Sequence, residues 1–240
     1  MTRPPLSELR AVIFDVDGTL ADTERDGHRP AFNEAFAAAG LPYRWDEAEY
    51  GTLLVITGGS RRIERYLRDR GVPAPRAADL AAELHATKTA RFVDRVRAGL
   101  VPARPGVAEV LRELQAAGVR LAVATTGSRE WVMELLDGLF GPDMFEVVLT
   151  GTDVPARKPD PAVYQQTVCR LRLPAECVIA VEDSAIGCSA AVAAGLRCMV
   201  VTNDYTSDQD FSGATVICDG FARNGRRPLG VDLLRAACHA

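Results

Sequence analysis

The chain has 240 residues and a formal net charge of −4 at pH 7; 48% of its residues are hydrophobic and 25% are charged. This composition is typical of a water-soluble globular enzyme built as one large domain, or as a core with a smaller insert. The acidic balance provides no basic field for nucleic acid, no apolar run approaches the roughly 18 residues of a membrane span, and the N-terminal residues are not those of a signal peptide.

The first predicted element is a strand over residues 11–14, and it leads directly into two aspartates. The short apolar run suits a buried parallel strand and ends at Asp15, with Asp17 two residues later. Alternate side chains of an extended segment share a side, so both carboxylates can converge at the strand end, where open α/β sheets bind ligands. Converging carboxylates repel each other and require a hard cation such as Mg²⁺. Taken alone, the pattern also suits an acidic turn.

Residues 24–100 interrupt the strand pattern, and their sequence is helix-like throughout. Apolar residues share one helix face before Gly40, another before Gly71, and a third in a long segment over residues 77–98. We therefore expect a separate helical domain over residues 24–100, inserted into a core formed by residues 1–23 and 101–240. An insert of this size is large enough to act as a lid.

After residue 100, short apolar runs alternate with helical patterns. Helices are expected to end at Gly118 and Gly195, with N-caps at Ser128, Asp160 (followed by Pro161) and Ser184. The alternation predicts an α/β fold with a doubly wound, Rossmann-like parallel sheet. A solvated loop is expected over residues 220–230, before a last short helix. The remaining predicted strands cover residues 120–124, 145–149, 178–181, 198–201 and 214–218.

Three of these predicted strands end near residues suited to phosphate chemistry. Thr125 lies in a Gly-containing turn that can hold phosphoryl oxygens, and Lys158 stands before a proline, which favours an extended backbone. Glu182 and Asp183 form a second acidic pair that supplies oxygen ligands for Mg²⁺. Each has an ordinary alternative: a turn that caps a helix, a surface lysine, and a capping aspartate. Their occurrence in this order favours one common site.

The six cysteines show no C-x-x-C pair and all lie in the C-terminal third. Several stand beside apolar runs, so we expect reduced thiols with a packing role, in a cytoplasmic protein, and neither zinc ligands nor disulfides. They are Cys169, Cys177, Cys188, Cys198, Cys218 and Cys238.

Taken together, these motifs resemble those of the haloacid dehalogenase-like hydrolase superfamily, over essentially the whole chain. The resemblance implies that the helical insert is a cap domain of the first type. The four motifs are placed at Asp15 to Thr19, Thr125, Lys158, and Glu182 with Asp183.

Segments of the insert resemble the CbbY-like branch, near the beta-phosphoglucomutase-type enzymes. These segments are Thr23 to Arg29, Thr57 to Gly59 followed by Arg61 to Ile63, and Leu84-His85 with Lys88-Thr89. The branch implies a sugar bisphosphate substrate, notably xylulose 1,5-bisphosphate of the Calvin cycle. The chain departs from the branch at Gly127, where many relatives have Thr or Ser, and at Ser60, where a basic residue is expected.

The resemblance and the residues together imply roles in the core. Asp15 is the nucleophile that forms an aspartyl phosphate, and Asp17 is the general acid and then the base. Asp15, Asp183 and the carbonyl of Asp17 hold Mg²⁺, with Glu182 as a further or neighbouring ligand. Thr125 and Lys158 bind the transferring phosphoryl group.

In the insert, substrate binding is expected from a basic cluster and from Glu24. His85 and Lys88 are three residues apart on a predicted helix and therefore share a face. Guanidinium groups suit a second phosphate, although the same residues also suit a solvated basic face. Tyr43, Trp45 and Tyr50 are assigned to packing. The predicted substrate-binding residues are Glu24, Gly58, Gly59, Arg61, Arg62, His85, Lys88 and Thr126.

Two other functions stay open. A hexose phosphomutase would pass the same aspartyl phosphate to a sugar hydroxyl, and Asp17 serves both reactions. A non-enzymatic phospho-receiver or regulatory module also places acidic residues and a lysine at strand ends, but a helical lid fits it poorly. A dehalogenase is disfavoured, because that chemistry uses no metal and lacks an aspartate at the position of Asp17. The expected partner is a small sugar phosphate bound by a monomer, with no nucleic acid and no membrane.

Overall fold

A parallel sheet, with six strands among the described residues, forms the centre of the larger part of the molecule. The computed structural model describes residues 8–56, 58–221 and 229–238. Most of the predicted loop over residues 220–230 lies outside this description. The strands are β1 (Ala11–Phe14), β2 (Arg120–Ala124), β3 (Val147–Leu149), β4 (Val178–Glu182), β5 (Arg197–Val201) and β6 (Val216–Cys218). Their order across the sheet is β3-β2-β1-β4-β5-β6.

The predicted doubly wound α/β core is confirmed, and its strand order places a switch point at β1. The chain runs from β1 outward to β2 and β3, then returns to pair β4 with the other side of β1. All four residues of β1 are buried, as its continuous apolar sequence predicts. The edge strands β3 and β6 are shorter than predicted, since each has one neighbour and loses pairing at its first residues.

In the part of the chain that the structure describes, five α-helices accompany the sheet: α5 (Val107–Ala116), α6 (Arg129–Phe140), α7 (Ala162–Leu171), α8 (Ala185–Ala193) and α9 (Val231–Cys238). Ser184 caps α8 as predicted, because its side chain accepts from the backbone N–H of Gly187. Ser128 stands at the N-cap of α6 but makes no capping hydrogen bond. Asp160 accepts from the N–H of Ala162, yet α7 begins one residue later than predicted, with Pro161 at the N-cap.

Residues 23–102 form a separate compact unit, and residues 1–22 with 103–240 form the other. A π-helical turn (Thr23–His28) is followed by α1 (Arg29–Ala38), α2 (Glu47–Leu53), α3 (Gly59–Asp69) and α4 (Ala74–Arg97). The long helix begins earlier than predicted because Pro75 is accommodated in its first turn, where no intrahelical N–H is needed. None of the described helices combines the length and apolar composition needed to cross a membrane.

Aromatic packing holds the helical unit together. The ring of Trp45 lies 4.8 Å from Phe32, 4.9 Å from Phe36 and 5.0 Å from Tyr66, and its side chain is fully buried. Such clusters bury large apolar areas and contribute beyond area through ring geometry. In the larger unit, all six cysteines are free thiols, and four of them are buried.

Candidate active site

Carboxylates gather at the C-terminal edge of the sheet, at the switch point beside β1. Asp15 follows β1, Glu182 ends β4, and Asp183 is the next residue. One carboxylate oxygen from each of these three residues lies within 4.8 Å of the others, and all three are buried. Because β1 and β4 are parallel neighbours, their ends meet here. The sheet topology therefore assembles an acidic pocket from distant parts of the chain.

A tight turn after β1 brings backbone against this pocket. Gly18 has φ +75°, and its N–H donates to the carbonyl of Ala21 at 2.9 Å. A Cβ at Gly18 would stand 2.3 Å from Oδ2 of Asp183, so only glycine allows this approach. Asp17, half-buried, lies in the same turn and forms a backbone bridge with Ala21.

Lys158 joins two members of the pocket. Its Nζ donates to Oδ1 of Asp15 at 2.5 Å, to Oε1 of Glu182 at 2.6 Å, and to the carbonyl of Ala124 at 2.8 Å. Burial alone lowers the pKa of Lys158, but the charges of Asp15 and Glu182 outweigh burial and raise it above its ordinary value. The side chain of Lys158 is therefore a permanent cation beside Asp15.

Burial and mutual repulsion raise the pKa of two carboxylates in the pocket, those of Asp15 and Asp183. Burial raises the pKa of Asp15 well above its ordinary value, and neighbouring carboxylates add to this effect while Lys158 opposes it. Burial and the charge of Glu182 raise the pKa of Asp183 to about 8. The possible ligand atoms are all oxygens of three buried carboxylates, and the ammonium of Lys158 contacts two of these carboxylates, Asp15 and Glu182. Such a set of oxygen atoms fits a hard divalent cation.

The carboxylate of Glu182 accepts hydrogen bonds from neighbouring side chains. Besides Lys158, it accepts from the hydroxyl of Tyr164 at 2.5 Å and from Oγ of Ser184 at 3.4 Å. A Cβ at Gly187 would stand 2.0 Å from Oε2, so the carboxylate lies against the first turn of α8. Sequence reasoning missed Tyr164, although a buried tyrosine hydroxyl on a helix after the lysine motif requires a partner.

Thr125 directly follows β2 and is fully buried, and its Oγ1 accepts from the N–H of Gly127 at 3.1 Å. The next residue, Thr126, is half-buried. A Cβ at Gly127 would stand 2.2 Å from the ring of Trp131. Trp131 thus occupies the space that a side chain at residue 127 would need, which explains why this chain has glycine there.

In the helical unit, Tyr50 links two predicted substrate-binding residues. Its hydroxyl donates to Oε2 of Glu24 at 2.5 Å and accepts from Nη1 of Arg62 at 3.0 Å. Nε of Arg62 also donates to the carbonyl of Leu53 at 3.1 Å, and the side chain is buried, whereas Arg61 is exposed. The assignment of Tyr50 to packing alone was incomplete, because its hydroxyl orients both charged groups.

The other predicted residues of this unit meet near the start of α3. Nζ of Lys88 lies 2.9 Å from Nδ1 of His28, between the rings of Phe32 and Phe92. Burial first, then the nearby Lys88 and His28, lowers the pKa of His85. A Cβ at Gly59 would stand 2.7 Å from the His85 ring, so Gly59 allows α3 to approach α4. The preceding Gly58 has φ +90°.

Comparison with known proteins matches this chain to one family. The model for haloacid dehalogenase-like hydrolases matches residues 9–195. "Protein CbbY" of Cereibacter sphaeroides is 45% identical over 221 residues, which cover 90% of this chain and 94% of that protein. A "CBBY-like protein" of Arabidopsis thaliana is 41% identical over 218 residues, 87% of this chain and 68% of that protein.

A solved structure is similar over nearly the full length. It is a mutant of CbbY from Rhodobacter sphaeroides in complex with xylulose-(1,5)bisphosphate. Its TM-score is 0.75 with 43% sequence identity, covering 92% of this chain and 100% of that chain.

Proposed function

The chain belongs to the haloacid dehalogenase-like hydrolases, as its motifs predict, and is a phosphoric monoester hydrolase; from that premise we propose that it is a Mg²⁺-dependent phosphatase of a small sugar bisphosphate such as xylulose 1,5-bisphosphate. The observation that carries the proposal is the buried pocket in which Lys158 bridges Asp15 and Glu182 beside Asp183. The similarity to a relative whose structure contains xylulose-(1,5)bisphosphate supports the substrate class.

Asp15 is the proposed nucleophile. Lys158 holds Oδ1 of Asp15 at 2.5 Å, so the orientation of the carboxylate is fixed and part of its charge is compensated. An oxygen of Asp15 attacks phosphorus and the bond between phosphorus and the sugar oxygen breaks. The product is an aspartyl phosphate, which splits one difficult hydrolysis into two easier steps.

Asp17 is the proposed acid and base. It gives a proton to the leaving sugar oxygen, and as a carboxylate it then accepts a proton from the water that attacks the aspartyl phosphate. The turn at Gly18 and the backbone bridge to Ala21 hold Asp17 in place. Attack of that water on phosphorus releases inorganic phosphate and restores Asp15.

Asp15, Asp183 and the backbone carbonyl of Asp17 would hold Mg²⁺, with Glu182 adjacent. When bound, the ion supplies positive charge that offsets the phosphoryl oxygens. Thr125 and Lys158 contribute a hydroxyl and an ammonium to the same charge balance, and Thr126 offers a further hydroxyl beside them. Most of the rate enhancement then comes from positioned charge.

The helical unit is the proposed source of substrate selectivity. Arg62 and Lys88, with His85 beside them, form a cationic group suited to a second phosphate, and Glu24 suits sugar hydroxyls. Tyr50 fixes the positions of Glu24 and Arg62. Arg62 is favoured over its exposed neighbour Arg61 because its guanidinium is already oriented by hydrogen bonds. We further propose that the protein acts as a cytoplasmic monomer.

The test is a screen of sugar monophosphates and bisphosphates with Mg²⁺, with separate measurement of inorganic phosphate and of isomerised product. Release of phosphate from a sugar bisphosphate is the expected result. Isomer formation without phosphate release would identify a phosphomutase. Absence of turnover across the whole panel would overturn the proposal.

A further inference from the structure

Asn203, in the loop after β5, contacts the acidic pocket directly. Its Nδ2 donates to Oδ2 of Asp183 at 2.7 Å and to the carbonyl of Gly18 at 3.3 Å. Oδ1 of Asp183 meets Oγ1 of Thr19 at 3.4 Å. The amide therefore ties the carboxylate that follows β4 to the turn that follows β1.

The amide of Asn203 has one orientation. Its Oδ1 accepts from the N–H of Tyr205 at 2.9 Å, so the NH₂ group must face Asp183. The loop itself is fixed by Thr206, whose buried Oγ1 accepts from the N–H of Asn203 at 3.0 Å. A donor held in this way restricts Asp183 to one position before any ligand binds.

Arg104 donates hydrogen bonds to the backbone at the start of the same loop. Its Nη1 donates to the carbonyls of Gly18 at 2.6 Å and Val201 at 3.0 Å, and its Nη2 to that of Thr202 at 2.6 Å. The guanidinium is buried, and its Nε lies 3.7 Å from Oδ1 of Asp22. The planar guanidinium presents N–H donors in a fixed arrangement, and two of its nitrogens reach the three carbonyls. Two loops from opposite sides of the switch point are thereby held together.

We propose that Asn203 is a positioning residue that sets the carboxylate of Asp183 for divalent-cation binding, and that Arg104 holds the two loops on which this contact depends. The inference rests on the proposed function, because it assigns a device to the metal site of that function. Asn203 acts through Asp183 and has no contact with reacting atoms. Removing the Asn203 side chain weakens cation binding. At saturating cation concentration, the rate of the chemical step is unchanged.

The experiment measures Mg²⁺ affinity by titration calorimetry on substrate-free protein, and then steady-state kinetics over a range of Mg²⁺ concentrations. The variants are Asn203→Ala, and Asn203→Leu, which keeps a side chain branched at Cγ but lacks a donor. Because a hydrogen bond to a charged group changes an equilibrium constant by about tenfold or more, both should bind Mg²⁺ about tenfold more weakly. At saturating Mg²⁺, kcat and the KM for the sugar phosphate should stay within about twofold of the unmodified protein.

Ser207→Ala is the matched control, since Ser207 is an exposed residue of the same loop. Arg104→Lys should weaken Mg²⁺ binding and also lower Tm; if that variant does not fold, the Asn203 variants carry the test alone. Affinity that is unchanged or tighter in both Asn203 variants would overturn the inference and leave the proposed function standing. An unmodified protein that binds no Mg²⁺ would overturn both.

Discussion

The acidic pocket predicts that Mg²⁺ stabilises the fold more at high pH than at low pH. Burial and Glu182 raise the pKa of Asp183 to about 8, whereas its ordinary value is 3.8. The folded chain therefore keeps a proton that the unfolded chain releases. Without the cation, stability falls as pH rises from about 4 to about 8 and is constant above that range.

The size of the effect follows from this difference of about four in pKa. Each pKa unit corresponds to about 1.4 kcal/mol, so ionising Asp183 destabilises the cation-free fold by up to about 6 kcal/mol. The pKa of Asp15 is raised as well and acts in the same direction. Near pH 5, Mg²⁺ must first displace the proton of Asp183, which costs about 4 kcal/mol. Near pH 8 this cost is almost absent.

The assay is thermal unfolding followed by circular dichroism, with chelator or with Mg²⁺ at about 100 times its dissociation constant at pH 8. Binding at that level stabilises by about 2.7 kcal/mol. For a chain of this length, we expect Tm to rise by about 5 to 10 °C near pH 8 and by less than about 2 °C near pH 5. Asp183→Asn, which removes the titrating carboxylate, should show a small rise at both pH values.

Histidines and surface carboxylates also titrate in this pH range and change Tm. Because Tm with chelator and Tm with Mg²⁺ are compared at the same pH, their contribution cancels. An equal rise in Tm at both pH values would refute the electrostatic reasoning, because the proton on Asp183 would then be irrelevant to cation binding. No rise at any pH would remove the cation site altogether.

Three further outcomes are expected. Asp15→Asn should abolish turnover while the circular dichroism spectrum stays that of the folded protein, and a substantial residual rate would exclude Asp15 as nucleophile. Lys158→Met leaves the carboxylates of Asp15 and Glu182 buried without their ammonium; breaking such a buried pair should cost about 3 to 5 kcal/mol in urea unfolding, and a loss below about 1 kcal/mol would contradict the bridging geometry. Arg62→Ala should raise KM for a sugar bisphosphate by about tenfold or more, with little change for p-nitrophenyl phosphate. The exposed neighbour Arg61→Ala is its control, and equal effects on both substrates would rule out a second-phosphate role.

Local sequence was sufficient wherever one segment contained its own signal. The apolar run before Asp15 predicted a buried strand, and β1 has the predicted bounds. Ser184 predicted a helix start because capping depends on residues three apart, and the bond to Gly187 is present. The edge strands were overestimated because their ends depend on a neighbour, which local sequence does not specify.

Partners from distant segments were not predictable. No sequence motif marks the residues that contact the pocket from outside the four motifs. Each acquires its role only from the group that the fold places beside it, as for Tyr164, Asn203 and Arg104. Tyr50 was assigned to packing because the sequence gives no information on what its hydroxyl meets. The glycine at residue 127 is likewise explained only by Trp131.

The sequence by itself determined the parallel α/β core, the helical insert and the identity of the charged residues at the strand ends, because these depend on hydrophobic period and short motifs. Tertiary structure alone decided which of those charges meet. Lys158 and Asp15 are separated by 143 residues, and only the pairing of β1 with β2 and β4 brings them within a hydrogen bond. Burial at that meeting point, which no single segment encodes, is the main cause that raises the pKa of Asp15 and of Asp183.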